Sequence, residues 1–142
     1  MILVCDTGPL VAAANTRDKY HLASAQLIRE YPGRLVVPSI VVSEVGRLLR
    51  TKVSAESEAR FIDDIVAGGF EIEDLTEKDW KRIQILVHQY IDLKLGVTDA
   101  AVIAVAERYK TNVIATVNFR DFRAVVPEHI DAFRLLPLDG LV

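Results

Sequence analysis

The sequence predicts an α/β protein built on a mostly parallel sheet with helices over both faces. Short apolar runs without alternation, such as Ile2-Leu3-Val4-Cys5 and Leu35-Val36-Val37, suit strands buried on both sides. Stretches of helical length and periodicity separate them, so strand and helix alternate along the chain. Gly and Pro pairs at 8–9, 32–33 and 68–69 punctuate the alternation.

Taken in order, the first strand ends at Asp6, and Leu10 to Ala14 reads as a short helix with Thr7 or Gly8 near its start and Pro9 in its first turn. Asn15 to Asp18 is a loop. His21 to Glu30 reads as a second helix with Leu22, Ala25 and Ile28 on one face, stopped by Pro32-Gly33. Arg34 to Pro38 is the second strand. Ser39 opens a helix through about Arg50, with Val41, Val45, Leu48 and Leu49 as its apolar stripe. Glu44 lies at the edge of that stripe, about 60° from Val41 at ~100° per residue.

Ser54 to Ala67 is the next helix, and Phe70 to Glu73 alternates like an edge strand. Thr76 and Asp79 have capping-box spacing and begin a helix through Ile83, Leu86, Val87 and Tyr90. Asp99 opens a helix from Ala100 to Ala106 that is apolar nearly all round, with Thr98 as its expected N-cap. Asn112 to Val117 is a strand ending at Asn118, Phe119 to Phe122 a turn, and Ala132 to Leu136 a last strand.

The totals fit one domain, residues 1–142. A composition of 51% hydrophobic and 26% charged residues is that of a globular chain with a full core. The net charge of −3 gives no global signature of a nucleic-acid binder, although a local basic strip still suffices for phosphate contacts. Cys5 is the only cysteine, which excludes an intrachain disulfide and suits a reducing cytoplasm. No run approaches the ~20 apolar residues of a membrane span, and Asp6 and Pro9 break up the apolar start, so a soluble, cytoplasmic protein without membrane contact is expected.

Four polar positions stand where apolar elements begin or end, or at the rim of an apolar face: Asp6, Glu44, Asp99 and Asn118. A parallel sheet places strand ends and helix starts on one edge, so Asp6, Asp99 and Asn118 fall on the same side. Carboxylates gathered there repel one another unless a cation neutralises them. Oxygen ligands select Mg²⁺ or Mn²⁺, and His21, His88 and His129 have no spacing for zinc. No P-loop, no GxGxxG and no Ser/His/Asp set is present.

Four blocks in order resemble the PIN-domain family, and within it the VapC-type toxins of toxin–antitoxin pairs. They are Val4-Cys5-Asp6-Thr7-Gly8-Pro9-Leu10, the run from Pro38 through Glu44 to Val45, Thr98-Asp99 through Ala106, and Ile114 through Asn118 and Asp121 to Phe122. The resemblance covers nearly the whole chain. It implies a three-layer α/β/α domain with a parallel sheet of about four to five strands and a metal-dependent endoribonuclease. Asp6, Glu44 and Asp99 match the family's metal-binding acids for Mg²⁺ or Mn²⁺.

Many members carry a fourth acid where this chain has Asn118, which leaves Asn118 to offer a neutral oxygen or orient a water. Asp121 is a candidate substitute for that acid. Thr7 and Thr116 are candidate hydroxyl partners of the acids. The implied substrate is RNA cut at a single-stranded loop, with Arg47, Arg50, Lys52 and Arg120 as a candidate basic rim that Arg17, Lys19 and Arg123 extend. A small antitoxin and a homodimeric assembly are the implied partners. The competing expectations are a PIN nuclease of RNA maturation or decay, and a non-catalytic scaffold, which the missing acid at Asn118 motivates.

Overall fold

A computed structural model describes residues 1–140, and its frame is a five-stranded parallel sheet. The strands are β1 (Ile2–Cys5), β2 (Arg34–Pro38), β3 (Glu71–Glu73), β4 (Val113–Ala115) and β5 (Arg134–Leu136). The helices are α1 (Thr7–Ala14), α2 (His21–Glu30), α3 (Ser39–Lys52), α4 (Ala55–Val66), α5 (Glu77–Gln89), α6 (Val97–Tyr109) and α7 (Phe119–Ala124). The strand order is β3-β2-β1-β4-β5, and all its pairs are parallel, as the alternation of strands and helices predicts.

The chain winds outward from β1 through β2 to β3, then returns to the other side of β1 to lay down β4 and β5. The winding therefore reverses between β1 and β4, which are paired with Val4 opposite Ile114 and Cys5 opposite Ala115. Such a reversal opens a crevice at the carboxyl ends of the two strands, where ligands bind in open α/β sheets.

The central strands are apolar because they are covered on both sides: Leu3, Val4, Val36, Val37, Ile114 and Leu135 are inaccessible to solvent or nearly so. Each such side chain stabilises the fold by about 1.5–3 kcal/mol through burial. α6 packs against β1, β2 and β4 as well as α3 and α5, which explains its nearly all-apolar surface from Ala100 to Ala106. Its alanines let it lie close to the sheet, and Asp99 sits in its first turn at the carboxyl edge of the strands.

Several local expectations meet a different structure. α2 buries Ser24 and Leu27, not Leu22, which is 81% exposed. Packing on α1 selects a face one step round from the stripe that Leu22 suggests. Gly96, not Thr98, is the N-cap of α6, and Thr98 lies inside the helix. β4 is shorter than the apolar run around it, because Thr116 turns its hydroxyl toward Asp6. The segment after Asn118 is a helical turn and a half, α7, rather than a plain turn. The Thr76–Asp79 capping box forms as read, with both reciprocal bonds.

Candidate active site

β1 delivers Asp6 to the crevice. The backbone N–H of Asp6 still bonds the carbonyl of Ala115 at 2.8 Å, so the sheet ladder holds the residue up to the point where its side chain departs. The carboxylate is buried and accepts a hydrogen bond from the Thr116 hydroxyl at 2.8 Å. The same hydroxyl oxygen accepts the Asn118 backbone N–H at 3.0 Å. Thr116 thereby ties the end of β1 to the loop after β4. Thr7 plays a different part from the one its hydroxyl suggests. Its backbone N–H bonds Asp6, while its buried Oγ1 has no partner.

Asn118 donates its amide to Asp99 at 2.9 Å and to Asp121 at 3.0 Å. The expectation that it offers an oxygen gives way to a bridging donor between two carboxylates that repel each other. Asp121 is 8% exposed and lies within the cluster, where a fourth acid belongs. Glu44, half-buried in the second turn of α3, faces the same group.

The electrostatics follow from this crowding. Burial pushes the Asp6 carboxyl above its usual range, with Glu44 adding to the rise, against the lowering effect of the bonds from Thr116 and Thr7. Asp99 is raised to about 7, first by burial, then by the charges of Asp6, Asp121 and Glu44, while the Asn118 bond works the other way. Four acids on four different elements therefore sense one another at one crevice.

The donor set is all oxygen, and a buried hydroxyl beside it is unsatisfied. Among the described residues no group of three or more His, Cys, Asp or Glu side chains is drawn together closely enough to hold a metal ion as it stands. An all-oxygen donor set is chemically of the kind that suits a hard divalent cation rather than zinc.

The expected basic rim is only partly at liberty. Arg50 is paired with Glu58 on α4 at 2.7 Å, Arg120 with Asp121 at 3.1 Å, and Arg123 with Asp139. Arg47, Lys52, Arg17 and Lys19 are exposed. Away from the crevice, a network invisible to local spacing joins α5, α6 and β3. Arg82 bonds Glu107 at 2.7 and 3.0 Å, and Arg108 bonds both Asp79 and Glu73. Against the burial that pushes it up, the bonds from Arg108 and Thr76 hold the Asp79 carboxyl below its usual range.

A doubly wound sheet with acids from the end of β1 and from α3, α6 and α7 meeting at its reversal point defines an α/β protein with an acidic crevice. The chain belongs to the PIN-domain family, whose model matches residues 3–126. It is 28% identical to Ribonuclease VapC26 of Mycobacterium tuberculosis over 135 residues, covering 95% of this chain and 100% of that protein. The fold is similar to that of Mycobacterium tuberculosis VapC20, described as a Sarcin-Ricin loop cleaving toxin, with a TM-score of 0.73 at 16% identity over 80% of this chain and 87% of that one. It is also similar to a chain of VapBC2 from Rickettsia felis bound to a DNA fragment from its promoter, with a TM-score of 0.69 at 17% identity over 95% and 98% of the two chains. No helix among the described residues is long and apolar enough to cross a membrane.

Proposed function

We propose that this chain is a metal-dependent endoribonuclease, the toxin of a VapBC-type toxin–antitoxin pair. The observation that carries the proposal is the carboxylate cluster at the end of β1, where Thr116 holds the buried Asp6 and Asn118 bridges Asp99 and Asp121. Its support is the ribonuclease name of the relative aligned along 95% of the chain. Asp6, Glu44 and Asp99 hold Mg²⁺ or Mn²⁺, with Asp121 completing the negative field. A bound divalent ion of this kind activates water and stabilises charge on phosphate oxygens.

The chain's own residues do the rest. Thr116 orients Asp6 and keeps one of its oxygens directed away from the crevice. Asn118 holds Asp99 and Asp121 in fixed relation. Asp99, crowded by the charges of Asp6, Asp121 and Glu44, gains most from a cation that neutralises the cluster, and the proton lost by the attacking water passes to solvent while the leaving 3′-oxygen takes one up. In-line attack of that water on an RNA phosphodiester leaves a 5′-phosphate and a 3′-hydroxyl. The buried Asp121 supplies the acid that the side chain at Asn118 lacks, which weakens the motive for a non-catalytic scaffold.

A small antitoxin that covers the crevice is the proposed partner, as VapBC complexes among the structural neighbours suggest. A homodimer and a cytoplasmic location complete the reading. The test is incubation with total cellular RNA and Mg²⁺, followed by mapping of new 5′ ends. The parent protein cuts at discrete sites, chelator stops it, and Asp6→Asn abolishes cleavage while keeping the parent's circular dichroism. Cleavage by Asp6→Asn at the parent rate overturns the assignment.

A further inference from the structure

Tyr20 and Phe119 meet edge to face at the rim of the crevice, with ring centroids 5.9 Å apart and planes at 83°. They come from the loop before α2 and from the residue after Asn118, so long-range folding brings them together beside the acids. Both residues are partly buried and keep some exposed surface. Phe119 is anchored against the core, and Tyr20 is fixed by its loop. The Tyr20 N–H bonds Asp18 Oδ1 at 2.8 Å, the Arg17 N–H bonds Asn15 Oδ1 at 3.2 Å, and the next residue, His21, bonds the Ala12 carbonyl at 2.8 Å through Nδ1. Two other tyrosines are committed elsewhere, Tyr109 to Glu73 and Tyr90 to the Val126 N–H.

A cation lies against the pair. Lys19 Nζ lies 5.0 Å from the centre of the Tyr20 ring, and Arg17 and Arg120 are exposed nearby in sequence. Partly exposed rings held by their surroundings, with a lysine beside them and Asn118 next in the chain, have the chemistry of a single-stranded nucleic-acid subsite. Every base has a face that stacks on an aromatic ring, while lysine and arginine follow the backbone phosphates.

We infer that Tyr20 and Phe119 form a stacking platform for one nucleobase of single-stranded RNA, flanking the phosphate presented to the crevice. The inference rests on the ribonuclease reading and adds the substrate contact to it. Stacking on the platform turns one base out of its neighbours' stack and sets the strand's register against the acids.

The test measures binding of a short fluorescein-labelled oligoadenylate by anisotropy, in chelator so that nothing is cut. Phe119→Leu and Tyr20→Leu each weaken binding by about tenfold, as loss of a base–aromatic stack does. Phe119→Trp binds as the parent does, which separates stacking from folding. An oligonucleotide with abasic positions binds the parent about tenfold more weakly, and Phe119→Leu weakens it no further.

Parent-like binding of oligoadenylate by both leucine variants overturns the platform. So does an abasic loss of equal size in parent and variants. Variants that keep RNA binding but lose a copurifying small protein show a protein-docking contact instead, and the inference falls. A parent that cuts cellular RNA while the variants bind normally sinks the platform alone. A parent that neither cuts nor binds RNA sinks the ribonuclease reading, and the platform with it.

Discussion

Asn118 stands between Asp99 and Asp121, donating its side-chain amide to one carboxylate at 2.9 Å and to the other at 3.0 Å. The amide serves as a neutral spacer with its donor edge toward two groups of like charge. Asn118→Asp replaces both donated bonds with a further negative charge. In chelator this variant is expected to lose about 1–3 kcal/mol of stability, the usual effect of leaving buried acceptors unsatisfied. Mn²⁺ recovers the loss, because an added carboxylate strengthens cation binding. Urea denaturation with and without Mn²⁺ measures both effects, and equal stability of parent and variant in chelator contradicts the bridging role.

The raised pKa of Asp99 makes stability depend on pH. The folded chain holds this proton up to about pH 7, whereas the unfolded chain releases it near the ordinary aspartate value of 3.8. Asp99 thus contributes stability that is full below 3.8 and lost as pH rises through about 7. Asp6 acts in the same direction. Glu71, Glu73, Asp79 and Asp139 are shifted down, so their contributions are complete above the usual carboxylate range and stay constant there. In chelator, the melting temperature is therefore expected to fall between pH 5 and pH 8 by more in the parent than in Asp99→Asn. With Mn²⁺ present, the fall in the parent shrinks or reverses, since the ion favours the ionised carboxylates.

Arg82 and Glu107 form a nearly buried pair, with side chains 16% and 6% exposed. Glu107 also accepts the Glu128 N–H at 2.8 Å, so one carboxylate fastens α5 and the 125–128 segment to α6. Arg82→Met leaves that charge buried and unpaired, an expected loss of about 3–5 kcal/mol. The double variant Arg82→Met, Glu107→Met removes the stranded charge and is expected to regain most of the loss. Denaturant midpoints of the four proteins in this cycle give the coupling, and simple additivity of the two single losses contradicts it.

What could be read from the chain alone depended on how local the cause was. The capping box at Thr76 and Asp79 is a three-residue signal and forms as its spacing predicts. The gathering of Asp6, Asp99 and Asn118 follows from parallel topology, which apolar strands such as Val36-Val37 already imply. The helix face at Leu22 was misleading because α2 is positioned by α1, not by its own pattern. The partners of Arg82 and Arg108 lie 25 and 29 or more residues away, so no spacing announces them. The place of Asp121 depended on α7, a helix of six residues too short to carry a periodic signal.

Gly8, in the first turn of α1, lies against Val117 in the loop after β4. A Cβ at this position would lie 2.3 Å from Cγ2 of Val117, far inside van der Waals contact. Valine is branched at Cβ and has little rotamer freedom with which to yield. Its neighbours are Thr116, which holds Asp6, and Asn118, which holds Asp99 and Asp121. Gly8→Ala therefore pushes on the one residue between the two groups that set the acids' positions. Displacements of about 1 Å at a reacting centre lower rates by about a hundredfold, so RNA cleavage by Gly8→Ala is expected to fall on that order. Val117→Ala in the same chain removes the obstructing methyl groups and is expected to restore much of the rate. Both variants are checked by initial cleavage rates in Mg²⁺ alongside their melting temperatures. If the second substitution recovers the melting temperature but not the rate, the Gly8–Val117 contact supports folding alone and does not set the geometry of the acids.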